Sequence, residues 1–482
     1  MADVTAAAAM KAQPKEETSR AFKWFHATSV NGGAMAIAAT ISSYYSIFVQ
    51  ENLGLTAASL SVIMLICSLW DAINDPLMGV LADNTRSKWG RYRIYFTFTP
   101  ILLFFDAILL FTNPGLSSYG ATFAYVLITY MLYGMIVTAY TMPQMAILPA
   151  ATLNDQERNK IIAMGAGVCA VAFTVASTWT PQLVAVFGNY RNLMILYGVL
   201  AIISFWGLFK TGKEKYLQEV SRENPFKQLK YVFRHPQVYP VMIVWVLASV
   251  SYGFMFASSV YYAQYIWCAK RVDLTAGEDA IGAGIQGTIS TYMGAVSFGA
   301  LFSMVVFMPV FLKVFKTGYR ALLVSQVLTV ACYLVLFFFG RSNWIFCLVL
   351  SFIATLVGAM VNALVNVLVN DTIDFIMLKE GKQLNGIISS VKGFAQKCGN
   401  TVVNSGLLAI LAIFGFNAQN GPFGQTAETV EAVNAVRFLV PALVSIAIII
   451  LIVFYPLKKY APEIAAMKEK MAAEHAAKEA QE

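Results

Sequence analysis

Long apolar runs recur along the chain, and short polar stretches that carry most of the Lys and Arg residues separate them. Runs of this length suit helices that cross the roughly 30 Å hydrocarbon core of a membrane. Uninterrupted apolar runs favour helices over barrel strands, in which polar and apolar positions alternate. The pattern predicts an all-α membrane protein with twelve transmembrane helices, over residues 25–49, 57–83, 94–113, 120–148, 160–186, 191–211, 237–268, 285–316, 320–339, 342–372, 385–414 and 433–455.

The longest polar interruption divides the predicted helices into two sets of six. Two six-helix halves around a central cavity are the design of many secondary transporters. Within the interruption, the run 213–220 has the pattern of an amphipathic helix on the cytoplasmic surface. The predicted organisation is an N-terminal tail over 1–20, a first half over 21–211, a linker over 212–236, a second half over 237–456 and a C-terminal tail over 457–482.

The loops on one side of the predicted bundle carry most of the basic residues, among them Arg158, Lys313 and Lys379. Because positively charged loops stay in the cytoplasm, we expect both tails on the cytoplasmic side of a plasma or inner membrane. Charged residues make up 12% of the chain, against about 25% in soluble proteins. The net charge of +8 then reflects topology and indicates no nucleic-acid partner. We expect a monomer surrounded by membrane lipid that binds a small-molecule substrate.

Residues typical of catalytic centres are scattered. The chain has three His and six Cys residues, without a Cys-x-x-Cys pair, a Gly-x-Ser-x-Gly motif or a Walker loop. The sequence therefore predicts neither an enzyme nor a cofactor, apart from an ion that drives transport.

The second predicted helix contains two carboxylates and an amide inside an otherwise apolar run. Asp71 and Asp75 are four residues apart, so they share one helix face, and Asn74 lies beside them. Charges in the membrane are costly and usually mark an ion or proton path. Two like charges one turn apart repel each other unless a cation or a proton lies between them. These residues therefore predict a cation site; the alternative is that the carboxylates pair with basic residues across the bundle.

The segment 71–76, followed by Gly79, the run 83–86, Trp89-Gly90 and the run 91–93, resembles the second helix and following loop of the melibiose permease family. These proteins are the glycoside–pentoside–hexuronide:cation symporters of the major facilitator superfamily. The resemblance implies the major facilitator fold and cation-coupled symport by alternating access. It also implies that Asp71, Asn74, Asp75 and Thr138 bind Na⁺, Li⁺ or H⁺. Oxygen ligands suit Na⁺, and carboxylates can equally hold a proton.

The loop after this helix is similar to the cytoplasmic loop signature of the superfamily. The resemblance implies that Asp83, Arg86, Arg91 and Arg93 form a gating loop, with salt bridges between the halves that stabilise the outward-facing state. The alternative is that these basic residues only set the membrane topology.

Residues 386–397 resemble helix eleven of the family, where a Lys lies between the sugar and cation sites. Lys397 matches that Lys. The resemblance implies that Lys397 and the cation compete for Asp71 or Asp75, which would couple the two sites. Lys392 is interpreted either as facing the cavity or as reaching the cytoplasmic interface.

The positions that bind the galactosyl group in the melibiose permease differ here. Its two Asp residues align with Met35 and Thr141, its stacking aromatic residue with Met145 and its Arg with Ala166. A cavity with fewer carboxylates and one or two lysines favours an anionic substrate such as a uronide, with a neutral glycoside as the alternative.

Helix ten adds a polar face, since Asn362, Asn366 and Asn370 recur at every fourth residue. This face either contacts substrate or packs against another helix. The predicted function is symport of a small polar solute with Na⁺ or H⁺; the alternative is a lipid or other non-sugar carrier on the same fold.

Overall fold

The structure is a computed structural model that describes residues 18–152, 154–215, 233–275, 277–315, 317–380, 385–460, 462–464 and 466–467. Most of both predicted tails and of the predicted linker helix lies outside these residues. The helices are α1 (Arg20–Asn52), α2 (Ala57–Asn84), α3 (Tyr95–Leu110), α4 (Tyr119–Ala151), α5 (Asp155–Phe187), α6 (Tyr190–Thr211), α7 (Pro236–Arg271), α8 (Glu278–Phe315), α9 (Gly318–Phe339), α10 (Trp344–Lys379), α11 (Asn385–Ile413) and α12 (Ala427–Asn434, continued by Ala435–Leu439 and Val440–Val453).

A helix lies at each position that the apolar runs predict, and the described residues contain no strand. Ten helices in the described part of the chain are long and apolar enough to cross a membrane. Of the other two, α3 has 16 residues, and α11 is more polar, with Lys392 and Lys397 among its Asn, Ser, Thr and Gln residues. The all-helical membrane fold is confirmed, and the count of twelve membrane spans stays a prediction.

The chain divides into two compact units. The first unit comprises Met1–Leu53 and Leu69–Val220, and the second comprises Gly54–Ser68 and Ser221–Glu482. The part of α2 that carries Asp71 and Asp75 thus belongs to the first unit. The boundaries of the predicted tails, halves and linker stay predictions.

Small residues let the helices of the first unit approach closely. Gly33 on α1 lies against the backbone of α6 near Ala201, where an added Cβ would be 2.6 Å from the Ala201 nitrogen. Gly198 on α6 lies against Phe104 of α3 in the same way. Close contact at small residues is a main source of helix association in membranes. These contacts hold α1, α3 and α6 together in the first unit.

The second unit is built around α7. Gly399 of α11 lies against Ser249 of α7, where an added Cβ would be 2.7 Å from the Ser249 Cβ. Trp245, Leu364 and Phe375 are fully buried in one apolar cluster that joins α7 and α10. This packing holds α11, the helix of both predicted substrate lysines, against α7.

In the described part of the chain, four π-helical segments interrupt the longer helices, at Ile41–Tyr45, Ala263–Trp267, Ser303–Phe307 and Ala435–Leu439. A π segment inserts one residue into the helix, turns the following side chains and often occurs at functional sites. Each of these segments carries a buried polar side chain, among them Tyr45 in α1, Gln264 in α7, Ser303 in α8 and Arg437 in α12.

Candidate cation and substrate sites

The carboxylates of α2 face α4 at two successive helical turns. Thr138 Oγ1 donates a hydrogen bond to Asp75 Oδ1 at 2.8 Å. One turn earlier, Asp71 lies so close to Gly134 that an added Cβ there would be 2.5 Å from Asp71 Oδ1. Since Gly134 and Thr138 are four residues apart, as Asp71 and Asp75 are, the two helices match turn for turn. Three of the four predicted cation ligands therefore lie together in the first unit.

Asn74, the fourth predicted ligand, is 4% exposed on the same stretch of α2. Its Nδ2 has no hydrogen-bond partner in the described structure. Asp71 and Asp75 are half-buried. Two carboxylates and a threonine hydroxyl form a set of hard oxygen donors, which is the chemistry that binds alkali cations and also accepts protons.

The loop between α2 and α3 is held by Glu214, which follows α6. The Glu214 carboxylate accepts hydrogen bonds from the backbone N–H groups of Arg91, Tyr92 and Arg93 at 2.7, 2.9 and 3.0 Å. The Arg93 side chain donates to the Phe209 carbonyl at 2.9 and 2.7 Å and lies over the Phe209 ring. The sequence offered no signal for this role of Glu214. The helix predicted over 213–220 is wrong at residues 213–215, because Glu214 there caps this loop instead.

The four predicted gating residues differ in their contacts and in their exposure. Arg91 and Arg93 take part in the Glu214 contacts, whereas Arg86 is exposed. Asp83 lies in α2, and its side chain falls outside the described residues. Salt bridges between the halves stay a prediction.

The predicted substrate residues of the second unit lie on α10 and α11. Lys392 and Lys397 are half-buried. Gln396 Nε2 donates to Asn362 Oδ1 at 3.4 Å, which joins the two helices. Asn366 is exposed and donates to the Asn362 carbonyl on its own helix at 3.2 Å. Asn362 thus takes part in helix packing, while Asn366 and Asn370 present their amides at the surface of the described structure.

A cavity of about 390 Å³ lies in the first unit between α1, α4 and α5. Both Met145 and Ala166 line it, the two positions that the resemblance aligns with a stacking aromatic residue and an Arg. Its polar side chains include His26 and Gln144, and His26 Nε2 lies 3.2 Å from the Gln144 carbonyl. No carboxylate lines it in the described structure. Thr141 donates to the Val137 carbonyl of its own helix at 2.8 Å.

A buried ion pair near the start of α1 was not predicted from the sequence. Lys23 Nζ lies 3.1 Å from Glu157 Oε1, and the two side chains are 5% and 1% exposed. Thr18 and Thr152 donate to the same carboxylate at 2.6 and 2.9 Å. The pair joins the first turn of α1 to the first turn of α5.

Arg437 in α12 is fully buried, and sequence reasoning missed it. Its Nε donates to the Tyr292 hydroxyl at 3.1 Å, and its guanidinium lies over the rings of Phe438, Tyr292 and Tyr333 at 4.9, 5.7 and 6.0 Å. Its Nη1 and Nη2 have no hydrogen-bond partner in the described structure. The signal was present, since Arg437 is the one basic residue inside the apolar run 433–455.

The chain is similar to known proteins along most of its length. Residues 29–459 match the family described as MFS/sugar transport protein. The chain is 27% identical to the uncharacterized symporter YnaJ of Bacillus subtilis over 80% of this chain and 81% of that protein. It is 23% identical to the putative glycoside/cation symporter YagG of Escherichia coli, over 77% and 78%. It is 24% identical to a putative sulfoquinovose importer of Salmonella typhimurium, over 73% and 72%.

The crystal structure of the nucleoside transporter NupG has the same fold, with a TM-score of 0.57 at 14% identity over 89% of this chain and 98% of that chain. The predicted resemblance to the glycoside–pentoside–hexuronide:cation symporters is confirmed. The family and these relatives are membrane transporters, not enzymes, so this chain is a multi-pass membrane protein and a sugar-type symporter. The chain belongs to the MFS/sugar transport protein family.

Proposed function

We propose that the protein couples the uptake of a small polar solute to a cation that binds at Asp71, Asn74, Asp75 and Thr138. The observation that carries the proposal is the turn-for-turn match of α2 and α4. Asp75 accepts a hydrogen bond from the Thr138 hydroxyl, and one turn earlier Asp71 packs against Gly134. Thr138 and Gly134 thereby place both carboxylates against α4. We propose Na⁺ or H⁺ as the coupling ion, with both termini in the cytoplasm and a monomer as the working unit.

The experiment is a thermal-shift titration of purified protein with Na⁺, Li⁺ and H⁺, comparing Thr138→Val with Thr141→Val. A hydrogen bond to a charged group contributes about 1.5–3 kcal/mol, so Thr138→Val should weaken cation binding by about tenfold or more. Thr141 bonds only its own helix backbone among the described contacts, and Thr141→Val should leave cation affinity unchanged. Equal affinity in both variants and the wild type would contradict the site.

A second pair of variants on α4 tests the other carboxylate. Gly134→Ala would push a methyl group into Asp71, whereas Gly120→Ala adds one where nothing lies within 4 Å. Ala in place of Gly inside a helix stabilises by about 0.5–1 kcal/mol when there is room. We therefore expect Gly120→Ala to bind cation normally and Gly134→Ala to lose the cation-induced shift.

We propose an anionic sugar, such as a uronide, as the substrate class, with a neutral glycoside as the alternative. The support is the loss of carboxylates at positions 35 and 141, the cavity around Met145 and Ala166 without a carboxylate among its described lining residues, and the half-buried Lys392 and Lys397. A relative described as a sulfoquinovose importer points to the same class. A lysine supplies charge and hydrogen bonds to a carboxylate or sulfonate.

Uptake into proteoliposomes tests the substrate class with a uronide and a matched neutral glycoside. The variants Lys392→Gln and Lys397→Gln should abolish uronide uptake, because both remove the charge that neutralises the substrate. The control is Lys379→Gln. Lys379 is an exposed lysine at the end of α10, and its amino group lies over the Tyr460 ring. Undiminished uronide uptake by both variants would eliminate the anionic class.

A further inference from the structure

Asp106 on α3 is a buried acid that the proposed cation site does not use. It is 1% exposed, and neither of its carboxylate oxygens has a hydrogen-bond partner in the described structure. An ionised carboxylate that is neither solvated nor paired carries a large desolvation penalty. A proton removes that penalty, because the neutral acid is far less costly to bury. Asp106 is thus built to hold a proton.

The surroundings of Asp106 contain phenols rather than cations. It interacts electrostatically with Tyr45 of α1 and with Tyr125 and Tyr133 of α4. Tyr45 is also buried, at 1% exposure, so this phenol near Asp106 is shielded from water as well. Helix α6 also packs against α3. The titratable groups of α6 are Tyr190, Arg191, Tyr197 and Lys210. No Lys, Arg or His pairs with Asp106 among the described residues.

Tyr133 connects Asp106 with the candidate cation site. Its hydroxyl interacts electrostatically with both Asp106 and Asp71. Tyr133 immediately precedes Gly134, the residue against which Asp71 lies. Tyr133 is therefore within electrostatic range of both carboxylates, and all three residues belong to one compact unit.

We propose that Asp106 is a proton-binding site whose occupancy is coupled through Tyr133 to the cation at Asp71 and Asp75. The coupling rests on the proposed function. A cation arriving at Asp71 adds positive charge, which favours release of the Asp106 proton to water. By linkage, the proton on Asp106 weakens cation binding by the same factor. The proton and the cation thus bind to different carboxylates, and each weakens the binding of the other.

Infrared difference spectroscopy of the protein in lipid nanodiscs tests this directly. The C=O stretch of a protonated carboxylic acid should appear in the wild type, lose intensity when Na⁺ is added at fixed pH, and be missing in Asp106→Asn. The Na⁺ affinity of Asp106→Asn should vary about fivefold less across pH 5.5 to 8.5 than that of the wild type. The proposal is overturned if wild type and Asp106→Asn have the same acid band. It is equally overturned if Na⁺ binds to the protein but the intensity of the acid band does not change.

Two further variants separate this proposal from the proposed function. Asp71→Asn should abolish Na⁺ binding and keep the Asp106 band. If the wild type also fails to bind any cation, the proposed cation site fails and the coupling fails with it, while the band still reports the Asp106 proton. Tyr133→Phe retains the carboxyl, so it also serves if Asp106→Asn does not fold. Its acid band should persist with a smaller Na⁺ response, and a full response would contradict the route through Tyr133.

Discussion

Asp106 in the first unit and Arg437 in the second meet the same problem with different chemistry. Both side chains are buried in a membrane helix, and neither has an oppositely charged partner among the described residues. A carboxyl group can take a proton and become neutral, whereas a guanidinium stays charged at any accessible pH. Arg437 is instead surrounded by aromatic rings, whose negative faces attract a cation. Only the acid can therefore change its charge during a transport cycle.

The Lys23–Glu157 pair is the third case and the reference for the other two. The two opposite charges compensate each other, and two threonine hydroxyls donate hydrogen bonds to the Glu157 carboxylate. The three cases order the expected effects of removing a charge. Breaking a satisfied pair leaves a new uncompensated charge, while removing an unpaired charge leaves none.

The largest effect is expected at Lys23. Lys23→Met leaves Glu157 ionised at 1% exposure, and breaking a buried pair from one side costs about 3–5 kcal/mol. We expect the free energy of unfolding, measured by denaturant titration in detergent, to fall by that amount. The double variant Lys23→Met with Glu157→Gln should recover most of the loss. A double variant as unstable as the single one would show that the lysine stem, not the charge, stabilises this corner.

A smaller effect of opposite sign is expected at Arg437. Arg437→Met keeps much of the volume, removes the unpartnered Nη1 and Nη2, and gives up the Tyr292 bond and the aromatic contacts. Replacing buried charges by apolar groups of similar volume often stabilises by about 1–4 kcal/mol. We expect the melting temperature to rise and transport to fall. A lower melting temperature would mean that the aromatic rings compensate the guanidinium fully, which would end the comparison with Asp106.

Sequence patterns predicted the helices well, because membrane helices follow apolar runs, but they misplaced several ends. Helix α5 begins at Asp155 rather than 160, and α8 at Glu278 rather than 285. In α8 the first turn carries Glu278 and Asp279, and acidic groups stabilise a helix N-terminus although they end an apolar run. Helix α3 stops at Leu110 rather than 113, ahead of a turn at Gly115 with φ +66°.

The candidate cation residues were within reach of the sequence because the Asp71–Asp75 spacing defines one helix face. Thr138 came from the resemblance, and the structure supplied its bond to Asp75. The Glu214 contacts could not be predicted, since they join residues more than 120 positions apart and arise from tertiary packing alone. Asp106 and Arg437 were visible as lone charges in apolar runs. Their lack of partners required the structure.

The smallest effect separates two adjacent tyrosines on α1. Tyr44 donates to the Ser177 carbonyl at 2.6 Å, whereas the buried Tyr45 hydroxyl beside Asp106 has no partner in the described structure. A typical hydrogen bond contributes about 0.5–1.5 kcal/mol, and a buried unsatisfied group costs about 1–3 kcal/mol. Tyr44→Phe should therefore lower the free energy of unfolding, and Tyr45→Phe should raise it. If Asp106 holds a proton that it donates to Tyr45, Tyr45→Phe instead destabilises, and more so at low pH, where the acid is fully protonated. Unfolding titrations of both variants at pH 5.5 and 8.5 thus decide whether Tyr45 is an unsatisfied group or the acceptor of the Asp106 proton.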